Sequence, residues 1–279
     1  MADFAKSIKR NFKLSFETIW YDLKQKKNPL EFTYNGSQMF HGMQGEGKTV
    51  SMYKYGMDAH GRFLRSVIVS NLHLTRLEPV PVGHVSDLDN LSQYPDDYWL
   101  THYIYVSTFD EVMKALRTAR NDIYGVIFMI DEIHTYFHSH DSKSIPMWVN
   151  QVFSQQRKQH LVILGTVQDW EDLVKIVRRQ ARNLVLCHKV GYFITQIVVD
   201  PRTMETEYGE TSFPIKKRGF FFLDREIREG MDTFQVIDSG RSVMGGAEMN
   251  APVMKQKNGA PIKRTQTFRR NTDKYETKK

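Results

Sequence analysis

Apolar residues along this chain form short, β-branched runs that alternate with longer stretches of helical spacing. The runs are RSVIVSNLHL (65–74), HYIYVS (102–107), YGVIFMI (124–130) and LVILGT (161–166). The stretches between them are TVSMYKYGMDA (49–59), TFDEVMKALRTARND (108–122) and IPMWVNQVFSQQRKQ (145–159). Uniformly apolar strands that alternate with helices predict an α/β fold whose mainly parallel sheet is buried on both faces.

The pattern differs in four other places. Residues 4–27 carry apolar side chains at three- and four-residue spacings, which predicts an amphipathic helix packed on the domain, on another subunit or on a membrane surface. Residues 75–100, with three prolines, predict an irregular loop. A further helix is expected over 170–182. After it, NLVLCHKV and YFITQIVVD predict an antiparallel extension of the sheet, which TMETEYGE (203–210) continues.

FTYNGSQMF (32–40) predicts an earlier strand and turn, and the stretch between it and the first helix matches G-x-x-x-x-G-K-[ST] from Gly42 to Thr49. In such a loop, backbone N–H groups surround phosphate oxygens and the next helix turns its N-terminus toward them. Lys48 would reach the β- and γ-phosphates of ATP, and the Thr49 hydroxyl would bind Mg²⁺. A strand before and a helix after favour a phosphate-binding loop over an ordinary glycine-rich turn. The residues predicted to contact the nucleotide are Gly42, Met43, Gln44, Gly45, Glu46, Gly47, Lys48, Thr49 and Val50.

A second motif lies 83 residues after Lys48, where five apolar residues are followed directly by Asp131 and Glu132. Ligands of open α/β sheets bind at the carboxyl ends of the strands, so these carboxylates are expected beside the phosphate loop. Asp131 is expected to hold Mg²⁺, and Glu132 to act as general base for an attacking water. An apolar run that ends in Asp-Glu is common, and its position relative to the loop makes it specific.

The composition is that of a globular protein without an internal disulfide, a membrane span or a secretory signal. Hydrophobic content of 41% and charged content of 25% are ordinary for a globular protein. The single cysteine, Cys187, excludes an internal disulfide and lies in an apolar run, which is typical of a buried thiol in a reducing compartment. No stretch approaches the ~18 consecutive apolar residues of a membrane span. The N-terminus also lacks the apolar segment of a secretory signal, so we expect a cytoplasmic protein.

The net charge of +7 is concentrated at the two ends of the chain. Residues 251–279 hold nine Lys or Arg against two acidic residues, and residues 1–27 hold seven against three. The residues between them are therefore net acidic. A basic, polar tail predicts contact with nucleic acid or another acidic surface, although a solvated tail that aids solubility would have the same composition.

The order of these elements resembles the FtsK/HerA group of DNA-translocating P-loop ATPases. The most specific features are SNLHL (70–74), DEIHTYF (131–137) and the FSQQRKQ helix before a strand that leads to Gln168, with DTFQVID (232–238) near the end. Within that group the chain is most similar to viral and phage genome-packaging ATPases and zonula occludens toxin-like assembly proteins. The resemblance implies a RecA-like core, ATP and Mg²⁺ as cofactors, and a ring, pentameric or hexameric, that moves DNA. A capsid or portal protein would be a further partner, and the location would be the host cytoplasm or the virion.

The resemblance also implies roles for individual residues. Gln168 corresponds to the glutamine that senses the γ-phosphate, although Val167 stands here between Thr166 and Gln168, where the group often has Thr-Gln adjacent. A ring ATPase needs an arginine directed at the nucleotide of the neighbouring subunit. The candidates are Arg157, Arg178, Arg179 and Arg182, of which we favour Arg178 and Arg179. A solvated or DNA-facing basic helix would carry the same arginines.

Three further groups of residues could indicate a metal site, a helicase motif or a base-stacking surface. His134, His138 and His140, with Asp141, suggest a metal site, but they lack cysteine support and Mg²⁺ with ATP already accounts for the acidic residues. Residues 131–134 match the D-E-x-H string of certain helicases without their further motifs. The aromatic residues Tyr53, Tyr55, Tyr136 and Phe137 could stack on bases, and core or interface packing is the simpler interpretation.

We therefore expect three segments: a basic amphipathic helix at 1–28, a P-loop ATPase domain at 29–240 and a basic tail at 241–279. The expected function is ATP-driven DNA translocation, as in genome packaging. Zonula occludens toxin-like proteins usually carry a membrane span after the ATPase domain, and its absence here favours packaging over extrusion. The alternatives are a nucleotide-gated assembly scaffold that moves no DNA, and a small-molecule kinase, which the lack of an arginine-rich lid disfavours.

Overall fold

The structure is a computed structural model that describes residues 31–34, 36–142, 144–202, 205–207, 210–212 and 214–231. The predicted N-terminal helix, the basic tail and DTFQVID lie outside these residues. The strands and helices, in chain order, are β1 (Gly36–His41), α1 (Lys48–Arg62), β2 (Val67–Ser70), β3 (Glu78–Pro81), α2 (Tyr98–Thr101), β4 (His102–Tyr105), α3 (Phe109–Thr118), β5 (Val126–Ile130), α4 (Met147–Ser154), β6 (Leu161–Val167), α5 (Lys175–Gln180), β7 (Ala181–Val190), β8 (Phe193–Val199), β9 (Glu205–Glu207), β10 (Glu210–Ser212), β11 (Ile215–Phe222) and α6 (Arg225–Glu229).

Nine of the described strands form one sheet in the order β11-β8-β7-β1-β6-β5-β2-β4-β3. From β7 to β3 all neighbours run parallel, while β8 is antiparallel to both β7 and β11. The predicted fold class, a mainly parallel sheet flanked by helices with an antiparallel extension, is confirmed. Because β6 lies between β1 and β5, its carboxyl end separates the phosphate loop from the residues that follow β5.

The sheet is buried on both faces. Successive side chains of a strand point to opposite faces. Phe40 and Ile127 therefore pack with α1, while Met39 and Phe128 belong to the core that includes α3 and α4. Complete burial of one such side chain contributes about 1.5–3 kcal/mol. This packing fixes the strand ends that carry the polar residues of the site. No helix in the described ranges is both long and apolar enough to cross a bilayer.

Residues 75–100 hold more structure than the predicted irregular loop. β3 pairs in parallel with β4, and α2 precedes β4 directly. Buried side chains hold the intervening turns to the core: Leu77, Val82, Val85, Leu88, Leu91 and Trp99. Trp99 Nε1 also donates to the Leu91 carbonyl oxygen at 3.2 Å. Four of these residues recur at every third position from Val82 to Leu91, a spacing that matches neither the period of a strand nor that of an α-helix, so the pattern predicted neither element.

The antiparallel extension has a different third strand from the expected one. β9 and β10 pair only with each other among the described strands, so the expectation that TMETEYGE continues the extension is wrong. β11 takes that place beside β8. β11 is an edge strand and carries three exposed basic residues, Lys216, Lys217 and Arg218. An edge strand is only partly covered, so it can form without the alternating or uniformly apolar residues that identify a buried strand.

Two helices are shorter than predicted. α4 ends at Ser154 instead of continuing to residue 159, and α5 covers only Lys175–Gln180 of the predicted 170–182. Leu173, before α5, forms an isolated antiparallel bridge with His138. Val174 donates its N–H to the Phe137 carbonyl oxygen at 2.9 Å. Backbone pairing with a distant segment replaces the first turn of the predicted helix.

Candidate functional site

The phosphate loop occupies residues 42–47, between the end of β1 and the start of α1. Gly47 adopts a left-handed conformation, with φ of 80°, directly before Lys48, the first residue of the helix. A Cβ atom on Gly47 would lie 2.8 Å from Ile194 Cδ1, and one on Gly42 would lie 2.8 Å from the Cys187 backbone oxygen. The glycines are therefore required because β7 and β8 pack directly against the loop.

Glu46 ties the loop to β7. Its Oε2 accepts a hydrogen bond from the Lys189 backbone N–H at 2.8 Å and lies 2.6 Å from His188 Nδ1. The hydrogen bond from Lys189 lowers the pKa of Glu46, with a contribution from His188. The carboxylate is turned toward β7, so its hydrogen bond holds the loop against that strand. Sequence reasoning placed Glu46 in the loop but missed this anchoring role, because nothing local indicated contact with residues 188–189.

Lys48 is buried, and its ammonium lies across the loop. Its Nζ donates to the Met43 carbonyl oxygen at 3.0 Å, and the side chain is 8% exposed. Burial lowers the pKa of Lys48, and the nearby Asp131 and Glu132 carboxylates oppose that shift. A desolvated ammonium interacts strongly with phosphate charge, as its predicted role requires.

Asp131 is the centre of a hydrogen-bonded group at the carboxyl edge of the sheet. Its Oδ1 accepts from the Thr49 hydroxyl at 3.0 Å and from the Thr166 hydroxyl at 2.5 Å. Burial raises the pKa of Asp131, and both hydroxyls oppose this by stabilising the ionised form. Thr49 and Asp131 thus offer adjacent oxygen donors, the ligand type that Mg²⁺ prefers together with water and phosphate oxygens. The residues present fit a magnesium ion.

Asn71, which directly follows β2, holds the backbone of Asp131. The Asp131 N–H donates to Asn71 Oδ1 at 2.8 Å, and Asn71 Nδ2 donates to the Asp131 carbonyl oxygen at 3.0 Å. The amide is 1% exposed, so the two bonds form in a buried, rigid setting. Sequence reasoning noted SNLHL but assigned Asn71 no role. Its position after a buried strand was the available signal.

Glu132 and Gln168, the predicted base and the predicted sensor, lie side by side. Gln168 Nε2 donates to Glu132 Oε1 at 3.1 Å, and the Glu132 N–H donates to Thr166 Oγ1 at 2.8 Å. Glu132 has a φ of 49°, a left-handed conformation that is uncommon for a residue other than glycine. Such strain occurs most often at functional sites. Thr166 therefore connects Asp131 to Glu132, a role that sequence reasoning did not assign.

The candidate trans arginines lie away from this group. Ala181, at the start of β7, pairs with Ser37 near the start of β1, whereas the phosphate loop follows His41, about 13 Å further along the strand. Arg178 and Arg179 lie in the last turn of α5, just before Ala181. Arg178 forms an ion pair with Glu171. The remaining candidates, Arg157 just before β6 and Arg182 in β7, also lie near this edge. A role toward a neighbouring subunit stays a prediction.

The histidine cluster forms no metal site within the described ranges. The rings of His138 and His140 stack with centroids 5.0 Å apart, and His138 Nε2 lies 3.9 Å from an Asp172 oxygen. No three His, Cys, Asp or Glu residues in the described part of the chain are grouped to hold a metal ion. Of the four aromatic residues considered for base stacking, Tyr53, Tyr136 and Phe137 are buried in the core.

Comparison with known proteins yields distant structural likeness. No family model and no curated protein matches the chain. The chain is similar to the genome packaging NTPase B204 from Sulfolobus turreted icosahedral virus 2 in complex with ATPγS, with 12% identity and a TM-score of 0.46 over 66% of this chain and 97% of that one. It is similar to the N-terminal domain of zonular occludens toxin from Neisseria meningitidis, with 14% identity and a TM-score of 0.41 over 71% and 99% of the two chains. A third similar structure is the RadB recombinase, with 12% identity and a TM-score of 0.41 over 72% and 91%. At these identities the likeness concerns the fold alone.

Thr166→Val tests the connection between the two carboxylates. The substitution keeps the β-branched shape but removes the hydroxyl that donates to Asp131 and accepts from the Glu132 N–H. We expect turnover of ATP to fall by roughly 10–100-fold, as for other side chains that orient metal ligands. Thr166→Ser keeps the hydroxyl and should retain activity within about threefold of wild type. Equal activity of the two variants in a phosphate-release assay would contradict the role of Thr166.

Proposed function

We propose that this chain hydrolyses ATP with Mg²⁺ and couples hydrolysis to the movement of DNA, as one subunit of a ring that packages a viral genome. The observation that supports hydrolysis is the hydrogen-bonded group at the carboxyl edge, in which Thr49, Asp131, Thr166, Glu132 and Gln168 form one connected network. Binding of a nucleotide with Mg²⁺ needs only the loop, Thr49 and Asp131, whereas a second carboxylate, Glu132, held beside them by Gln168 suits the activation of an attacking water.

Four residues of the network and Lys48 would share the chemical tasks of hydrolysis. Thr49 and Asp131 would hold the magnesium ion, which supplies positive charge to the phosphate oxygens. The Lys48 ammonium would offset the negative charge that develops on the transferred phosphoryl group. Glu132 would accept the proton of the attacking water, and Gln168 would hold the Glu132 carboxylate in place. The water oxygen would bond to the γ-phosphorus of ATP as the bond from that phosphorus to ADP breaks, so no covalent bond to the protein would form.

The DNA-moving part of the proposal follows from the sequence resemblance and from the distribution of charge. Basic segments at residues 1–28 and 241–279 flank the proposed ATPase domain and suit contact with a phosphate backbone. In a pentameric or hexameric ring, Arg178 or Arg179 would act on the nucleotide of the next subunit. A capsid or portal protein would hold the ring at the genome entrance.

The test is the rate of ATP hydrolysis by the full chain of known oligomeric mass, with and without DNA. We expect hydrolysis to require Mg²⁺, to stop on addition of EDTA and to increase severalfold with DNA. Removal of residues 251–279 should reduce the stimulation by DNA while leaving basal hydrolysis intact. Hydrolysis that DNA does not change would favour an assembly scaffold instead. Turnover that depends on an added phosphoacceptor would favour a kinase.

A further inference from the structure

A second cleft opens at the other end of β1 from the phosphate loop. Its volume is about 570 Å³, within the ~300–1,000 Å³ of typical small-ligand sites. The side chains that matter for its chemistry are Tyr34, Gln38, Tyr55, Arg62, Arg182 and Lys216. They come from the segment before β1, from β1 itself, from α1 and from the starts of β7 and β11. We call this the edge cleft, because β1 and β7 both begin here.

The edge cleft is positively charged. None of the described residues that line it is acidic, and three of them are basic. Lys216 Nζ forms an ion pair with Asp200 Oδ2 at 2.9 Å and donates a hydrogen bond to the Arg182 carbonyl oxygen at 2.9 Å. Lys216 therefore fixes the start of β7. Arg62 and Arg182 are exposed to solvent, and their guanidinium groups provide the positive potential at the mouth. An anionic ligand is therefore favoured.

The edge cleft also presents aromatic surface. Tyr34 and Tyr55 meet edge to face with ring centroids 5.7 Å apart, and the Arg62 guanidinium carbon lies 5.9 Å from the Tyr34 ring centroid. Gln38 Nε2 donates to the Tyr55 hydroxyl. Burial raises the pKa of Tyr55 to about 12, so this phenol adds no negative charge at neutral pH. Aromatic rings beside cations are the combination that binds a base and its phosphate.

We propose that the edge cleft binds one nucleotide unit of a single-stranded nucleic acid, with the phosphate on Arg62 and Arg182 and the base against Tyr34. The cleft is large enough for one nucleotide and too small to enclose a duplex. It lies at the amino ends of β1 and β7, whereas Lys48 and Glu132 lie at the carboxyl ends of the parallel strands, so it is separate from the proposed ATP site. The assignment rests on the proposed function, since that function makes nucleic acid the partner.

Fluorescence anisotropy of the full chain with a labelled oligothymidylate of about 20 nucleotides tests the assignment. Arg62→Ala should weaken binding by roughly 3–10-fold and reduce the salt dependence by the equivalent of about one phosphate contact. The matched control is Arg117→Ala. Both arginines are exposed, lie in the last turn of a helix and cover an aromatic ring, Arg117 at 5.8 Å from the Trp148 centroid. The control should stay within about twofold of wild type, because Arg117 does not line the edge cleft.

Tyr34→Leu, which keeps an apolar side chain but removes the ring, tests the base contact. We expect it to weaken binding by about fivefold or more, the lower end of the range for loss of one stacked base. Thermal unfolding of each variant shows whether it folds. Equal losses in Arg62→Ala and Arg117→Ala, or wild-type binding by both Arg62→Ala and Tyr34→Leu, would overturn the assignment.

Two further measurements identify the ligand and separate this inference from the proposed function. Thymidine monophosphate should compete poorly with the strand. If it binds as tightly and loses that affinity in Arg62→Ala, the cleft is a free-nucleotide site and the nucleic-acid assignment is wrong. ATP hydrolysis without DNA should be unchanged in Arg62→Ala. If wild type hydrolyses ATP while the Arg62→Ala and Tyr34→Leu variants both bind the strand normally, only the edge-cleft assignment fails; if wild type does not hydrolyse ATP, the proposed function fails by itself.

Discussion

Glu132→Gln should give a protein that binds ATP but hydrolyses it at least about a hundredfold more slowly than wild type, since positioned general bases contribute roughly 10²–10⁴-fold. Glutamine has nearly the same shape, and its carbonyl oxygen can accept the hydrogen bond that Gln168 donates to Glu132 Oε1. The backbone bond to Thr166 is also kept. What is lost is the ability to take a proton from water.

The measurement pairs phosphate release with binding of a fluorescent ATP analogue. A matched control is Glu78→Gln, since Glu78 is an exposed carboxylate on β3. The control should hydrolyse ATP at the wild-type rate. If Glu132→Gln does so too, Glu132 is not the base. If it no longer binds the analogue, the side chain serves the structure of the site and not the proton transfer.

Lys48→Ala is expected to remove hydrolysis and to weaken nucleotide binding, with turnover reduced by roughly 10²–10³-fold or more. The ammonium is buried within the loop, where its charge is poorly screened by water, and the alanine methyl group cannot replace it. Loss of the Lys48 bond to the Met43 carbonyl oxygen also frees one side of the loop. The first effect acts on the phosphates directly, and the second acts through the shape of the loop.

The matched control for this variant is Lys54→Ala, on the same helix. Lys54 is partly exposed and forms an ion pair with Asp58 one turn away, an interaction that contributes only about 0.3–0.5 kcal/mol. Lys54→Ala should therefore bind and hydrolyse ATP as wild type does. If the Lys48→Ala variant retains hydrolysis while the Lys54→Ala variant loses it, the nucleotide does not bind in the loop at 42–47.

The fold class could be predicted from the sequence because its signals are local. Buried parallel strands need uniformly apolar residues, so VIFMI (126–130) and LVILGT (161–166) are recognisable without a partner. The helix after β4 begins at a capping box formed by Thr108 and Glu111, a signal that lies within four consecutive residues. Predictions were wrong where pairing with distant segments decides the structure, as for the extension that β11 completes and for the turns of residues 75–100.

The candidate site also has a part that the sequence shows and a part that depends on the fold. Lys48, Thr49, Asp131 and Glu132 could be selected from the sequence, because a phosphate loop and an acidic strand end each lie within a few consecutive residues. Their assembly depends on strand order. Since β6 lies between β1 and β5, the Thr166 hydroxyl reaches both Asp131 and the Glu132 backbone.

Other contacts could be found only in the tertiary structure. Asn71, 60 residues before Asp131, holds its backbone because β2 pairs beside β5. Glu46 faces β7, 143 residues further on, and the edge cleft joins Tyr34 with Arg182 and Lys216. The candidate residues for phosphate binding and hydrolysis could thus be selected from local motifs. The residues that hold them in place could not, because hydrogen bonds between strand ends depend on how the sheet is ordered and not on spacing along the chain.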